Sequence, residues 1–353
     1  MRFYNIDMHI SVIADIKDVF GRLGHDVYDD SISGHAWVMN RTINPIYNHL
    51  RDRLQTLAKS NYGKEFCDKN STLKDYDGFI VTYPPAFTLL YKDYNKPIIL
   101  YIPIRYEYPW SNDTTQWRTF NDVLRGLYGR GLLYPVANSL YDKEYFEGFT
   151  GIPCKYIPSL CEYTGINYAP KSSKVLYWSR KHIKRVPKQI ESVTDYKNSR
   201  GGQYKWNALG EIMGIVHFPY NSSIMSFFEH YSANIPLFVP SNNLMRELYN
   251  SGDVMSEYSW NRFFNYRTKS QIKFNGPHDP NDYKNQRSFD HWLRLCDFNN
   301  IEWFPVVSTF GSLNELNDIT PEMCSMMSKT MADRQEKRRK KILDLWKDVL
   351  SSL

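Results

Sequence analysis

Apolar residues near the start of the chain change period twice within thirty positions. Arg2 to Ile10 alternates apolar and polar side chains, as a strand with one buried face does. Val12, Ile13, Ile16, Val19, Phe20 and Leu23 then recur at helical spacing, Gly24 follows, and a second strand begins over His25 to Tyr28. A glycine just past an amphipathic helix can take the left-handed conformation that closes it. Strand, helix, glycine and strand in this order open a doubly wound domain. The alternation continues with a strand over Tyr76 to Tyr83, a helix from Pro85, and the run PIILYIPI at 97–104. That run has no polar interruption, as expected of a strand buried on both faces. A helix near Phe120 to Tyr128, a strand at Leu132 to Ala137, a helix near Asp142 to Phe149 and a strand at Lys155 to Pro158 complete the half.

Residues 162–174, EYTGINYAPKSSK, have no period and carry Gly, Pro and Ser, so they read as a linker. The pattern restarts with a strand at Val175 to Ser179. It continues with a strand–turn–helix–strand unit within 210–241, a helix at Asn242 to Tyr249, and a polar, aromatic excursion over 258–288. A strand or loop near Phe304 to Val307 and a helix over Met323 to Leu350 end the chain. The fold class predicted is α/β with two Rossmann-like domains, 1–163 and 174–335, and a terminal helix at 336–353. Parallel sheets bind ligands at the carboxyl ends of their strands, which puts the site in the cleft between the domains.

The unit GEIMGIVHFPYNSSIMSFFEHYSANIPLFVPS at 210–241 carries the most chemistry. Its apolar strand runs into a polar turn containing Ser222 and Ser223, then a helix whose one carboxylate is Glu229, then a second apolar strand. Unpaired backbone N–H groups and the helix dipole make such a turn suited to an anion. Glu229, nearly two turns in, would meet the sugar hydroxyls of a nucleotide whose phosphates rest on the turn.

Glu229-His-Tyr-Ser-Ala-Asn-Ile-Pro236-Leu-Phe-Val resembles the E-A-M-A-x-G-x-P-V segment of GT-B fold glycosyltransferases, among them glycosyltransferase-group-1-like sequences. In that family the Glu binds the donor ribose and the Pro opens the next strand. Two positions depart from the pattern: Asn221 stands where retaining members carry a second Glu, and Asn234 where they carry Gly. Asn234 can also take the left-handed cap conformation. Val175-Leu-Tyr-Trp-Ser-Arg180-Lys-His-Ile-Lys-Arg185 resembles the family's strand–G-R-x-x-x-x-K element, with Arg180 at the Arg and Arg185 at the Lys. The resemblance implies that these two cations neutralise the donor diphosphate, and that the last helix crosses back onto the first domain. Ser33-Gly-His-Ala-Trp37 and the segment 295–305, LCDFNNIEWFP, are similar to viral or microbial exostosin-like sequences.

A departing nucleoside diphosphate gathers negative charge that fixed cations or a metal must meet. Asp75 and Asp77 form an Asp-x-Asp, but they precede a strand and read as a turn, so metal-independent transfer is expected. No cofactor is implied, since the nucleotide-diphosphate sugar is a donor substrate. Asp7 and His9, at the end of the first strand, are the candidates for a base that takes a proton from an acceptor hydroxyl. Thr82, Tyr83, Arg105, Tyr106 and Glu107 end later strands and are expected on the acceptor side.

Composition narrows the setting. No window approaches a membrane span, the N-terminus lacks a secretory pattern, and the cysteines (five in all) are irregularly spaced without a Cys-x-x-Cys. These point to a cytoplasmic protein with reduced thiols. The net charge of +6 is modest, and its densest cluster is RQEKRRKK at 334–341. The aromatic content, with 27 Tyr and 9 Trp, suits stacking on sugar faces as well as core packing. The function expected is transfer of a sugar from a nucleotide-diphosphate donor to a glycan hydroxyl. Two other readings stay open: a DNA-modifying glucosyltransferase with a basic cleft, and a non-catalytic nucleotide-sugar-binding protein.

Overall fold

The computed structural model describes residues 1–39, 41–43, 45–198, 206–266 and 269–353. Two all-parallel sheets organise it. In the first, β1 (Arg2–Asp7), β2 (Asp26–Ser31), β3 (Gly78–Val81), β4 (Ile98–Ile102), β5 (Leu133–Ala137) and β6 (Lys155–Tyr156) lie in the order β2-β1-β3-β4-β5-β6. In the second, β7 (Val175–Trp178), β8 (Ile190–Ser192), β9 (Gly214–His217), β10 (Leu237–Pro240) and β11 (Ser308–Phe310) lie in the order β11-β10-β9-β7-β8. Both are Rossmann-like α/β domains, as the pattern predicts.

The apolar run at 97–104 forms the centre of the first sheet, with all five residues of β4 buried. The Ile10–Arg22 helix turns its apolar stripe onto this sheet and ends as expected. Gly24 has φ +77°, and the N–H groups of Gly24 and His25 return to the carbonyls of Gly21 and Phe20. The Met225–Ser232 helix ends the same way with an asparagine. Asn234 has φ +59°, its N–H reaches Tyr231 O at 3.0 Å, and Ile235 N–H reaches His230 O at 3.1 Å. That paired bonding is the left-handed helix stop that glycine usually provides.

The last helix runs unbroken from Pro321 to Leu350, two residues earlier than the Met323 start that its pattern predicts, and the segment 336–353 is its second half and the chain end. Thr320 caps it, accepting from Met323 N at 3.2 Å, with Pro at the first turn. Its C-terminal half lies on the first domain, where Trp346 packs edge-on to Phe20 at 5.2 Å and against Tyr101 at 5.6 Å. The linker's Glu162 joins both ends of the chain. It accepts from Arg339 and Gln335 of the last helix and pairs with Arg22 of the first at 2.9 Å. Asp77, the turn residue before β3, accepts the N–H of Arg2 at 2.7 Å and so has a structural task.

In each sheet the strand order reverses beside the first strand, between β1 and β3 and between β7 and β9. Crevices open at such switch points. The loops after β1 and β3 are joined by Met8 N and Tyr83 O at 2.7 Å, and the ends of β7 and β9 by Phe218 N and Trp178 O at 2.9 Å. Arg105 after β4 bonds Asn221 after β9 across the domain boundary at 3.0 Å.

Candidate active site between the domains

β1 delivers Asp7 and His9 to the cleft, and the two do different things there. Asp7 is fully buried and its Oδ2 accepts the backbone N–H of His9 at 2.7 Å, so it fixes the main chain and not the imidazole. Burial pushes its carboxyl up to about 7, against the pull of Ser31 and the His9 N–H. His9 is exposed to solvent, and its ring stands edge-on to Tyr83 at 6.2 Å. Tyr83 belongs to the loop after β3, whose backbone accepts from Met8 N at 2.7 Å. Protein packed around the imidazole, with the positive fields of His35 and Arg180 added, pulls it down to about 4. It is therefore neutral at pH 7 and able to accept a proton.

Arg180 comes from the opposite domain, in the loop after β7. Its guanidinium stacks on the Tyr220 ring at 3.9 Å, donates to Glu257, and leaves over half of the side chain exposed, at 55%. Its positive charge acts on both His9 and Tyr83 of the first domain. Sequence spacing gives no hint of Glu257, which lies 77 positions away.

Glu229, expected to meet the sugar hydroxyls of a nucleotide, is nearly fully buried, at 4% exposure. Two hydroxyls close over it: Tyr163 of the linker, and Ser11, two residues beyond His9. Burial raises its pKa, and these two bonds oppose the rise. Asp7, His9, Arg180 and Glu229 thus converge on one junction, linked through Ser11 and Tyr220.

Three other expected residues stand apart. Arg185 adopts a left-handed backbone, φ +70°, and lines a hollow of about 540 Å³ with Tyr177, His182, Ser192 and Asp195 beside edge strand β8. Ser222 and Ser223 are buried, not open to a ligand. The N–H of Ser222 goes to the side chain of its neighbour Asn221 at 2.8 Å, and Ser223 Oγ reaches Asn138 of the first domain at 3.4 Å. The buried Asp297 also lies against Ser223, and burial lifts its carboxyl well above the usual range.

Arg105, expected on the acceptor side, instead binds the two domains together. It is 1% exposed, donates to Asn221 Oδ1 at 3.0 Å and to Tyr258 O at 2.9 Å, and lies over the Trp260 ring at 4.3 Å. The Oδ1 of Asn221 accepts from both Arg105 and the N–H of Ser222.

No family model matches the chain, and no curated protein matches it by sequence. Among solved structures it is similar to the glycotransferase of kitacinnamycin at 9% identity and TM-score 0.43, covering 99% of both chains. The calicheamicin glycosyltransferase CalG4 gives 10% and 0.40, covering 99% of this chain and 98% of that one. The spinosyn rhamnosyltransferase SpnG, complexed with spinosyn aglycone, gives 10% and 0.37, covering 100% and 97%. Overlap this low does not bear on what the chain does. The architecture rests on its own two sheets.

Glu229→Gln is expected to weaken donor binding without unfolding the chain, because the amide oxygen still accepts from Tyr163 or Ser11. Glu229→Ala removes the acceptor of two buried hydroxyls and should also lower the melting temperature. Donor titration beside thermal melts of both variants separates the roles, and normal binding by Glu229→Gln would remove the ribose assignment.

Proposed function

We propose that the chain is a metal-independent glycosyltransferase that moves a sugar from a nucleotide-diphosphate donor to a glycan hydroxyl. The observations that support this reading are a solvent-facing His9 at the end of β1 and an exposed Arg180 of the other domain whose charge acts on it. In the proposed step His9 takes the acceptor hydroxyl's proton while that oxygen bonds the donor's anomeric carbon. The bond from that carbon to the phosphate oxygen breaks, and its electron pair leaves on the nucleoside diphosphate. Arg180 meets the arriving charge, exchanging its bond with Glu257 for phosphate oxygens. Glu229 takes the ribose by exchanging its bonds from Tyr163 and Ser11 for the sugar hydroxyls, and Asp7 positions the His9 backbone. Direct attack of this kind inverts the anomeric centre.

Aromatic faces support a carbohydrate acceptor. Tyr83 stacks on Tyr108 at 5.8 Å with rings 15° apart, and Tyr108 in turn meets Trp260 at 5.5 Å. Both tyrosines are partly exposed, so sugar C–H faces could lie on them. Among the described residues no helix is long and apolar enough to cross a membrane, and all five cysteines are unpaired. A cytoplasmic setting is part of the proposal. Arg185, Ser222 and Ser223 are not included in the donor site, because their positions lend it no support.

A panel of UDP, GDP and TDP sugars tests the reading through thermal shift and nucleoside diphosphate release. Arg180→Ala should lower turnover by about 10²-fold, more than it weakens donor affinity, since it acts on charge that develops in the transition state. Donor-dependent stabilisation with no diphosphate release across the panel, with and without glycan acceptors, would favour the binding-protein reading instead.

A further inference from the structure

The basic run at 334–341 has a use beyond a solvated helix face. Arg334, Lys337, Arg338 and Lys341 fall three, four and seven positions apart, on one face of the last helix. They line a cavity of about 420 Å³ together with Tyr231, Trp303 and Pro305, and the one carboxylate lining it is Glu302. Glu302 pairs with Lys341 at 2.6 Å. The neighbouring cations on the helix are taken up elsewhere, Arg339 by Glu162 and Glu336, and Lys340 by Asp344. Arg334 and Lys337 have no ion pair among the described residues.

Arg338 is the fixed member of the set, 7% exposed. Its terminal nitrogens donate to Ser159 O at 2.5 Å, Leu160 O at 3.3 Å and Ser232 Oγ at 3.2 Å, while its buried Nε has no partner. Lys341 Nζ lies 4.1 Å from the centre of the Trp303 ring. A concave space of this size suits a small molecule. Converging Arg and Lys donors suit phosphate oxygens.

We infer that this cavity binds a small ligand bearing two or more phosphates, at a place separate from the cleft of His9 and Arg180. Ser232 ends the helix that carries Glu229, and Ser159 and Leu160 lead into the linker, so an anion here would sit against the joint between the domains.

Inorganic tripolyphosphate titrated calorimetrically into the full chain tests the site. Saturable binding is expected. The double variant Arg334→Glu, Lys337→Glu should weaken it by about tenfold or more, one decade being roughly the worth of a single charge-assisted contact. Both side chains are exposed, so the variant should melt as the wild type does. Arg180→Ala should retain saturable tripolyphosphate binding at this cavity, losing only a second binding event in the cleft if the wild type shows one. No saturable binding, equal binding by the double variant, or loss of binding in Arg180→Ala would overturn the inference. So would binding to phosphatidylserine vesicles or duplex DNA without competition from tripolyphosphate.

Discussion

Turnover in His9→Ala is expected to fall by about 10²–10⁴-fold, the usual worth of a positioned general base, with donor affinity retained. The pH profile then distinguishes His9 from its neighbour. A base must be deprotonated to act, so the acid limb of kcat/KM marks the pKa of whichever group serves. If His9 serves, the rate holds through neutrality and falls as pH drops through about 4. If Asp7 served, the fall would come near 7. Asp7→Asn retains an oxygen to accept the His9 N–H and should keep most of its turnover. A limb near 7 that disappears in Asp7→Asn would transfer the role to the carboxylate.

The largest loss of stability is expected from Asp15→Ala. Asp15 lies on the inner side of the first helix, 1% exposed, and accepts the backbone N–H groups of Leu160 at 3.1 Å and Cys161 at 2.5 Å. Its removal leaves two buried donors unpaired, at about 1–3 kcal/mol each, so urea denaturation should show a loss of ~2–6 kcal/mol. The loss should depend on pH. Burial raises Asp15 to about 7, while the N–H bonds and Arg338 hold it down less strongly. With the folded value above the unfolded one, its stabilising share is complete below the unfolded pKa and declines as pH rises through about 7. The difference between wild type and variant should therefore be larger at pH 5 than at pH 8. An equal difference at both would mean that Asp15 is ionised throughout.

What could be read from the sequence was local. The Ile10–Arg22 helix with Gly24, the buried run of β4 and the helix–Asn234–strand unit each carry their signal within a dozen residues, in period, cap and breaker. The short strand β8 did not show, because three residues at a sheet edge have too little pattern to stand out. The last helix was legible too, its pattern running over Met323 to Leu350 against Pro321 to Leu350 in the structure, although the domain division counts its first half with the second domain. In the site, Asp7, His9, Arg180 and Glu229 follow from strand ends and the helix motif. Their partners do not. Arg105 meets Asn221 116 positions away, Glu257 meets Arg180, and Tyr163 closes over Glu229 from the linker. Arg185 had the right spacing, but a positive φ puts it in a different hollow.

The Glu162 junction constrains how the molecule can breathe. One carboxylate grips Arg22 near the start of the chain and Arg339 near its end, a few residues before Trp346 seats itself beside Phe20 and Tyr101. The far end of the last helix is thereby fastened to the first lobe while its near end travels with the second. A rotation of the lobes that kept these contacts would have to hinge within the last helix, and it would break the bonds of Arg105 to Asn221 and Tyr258.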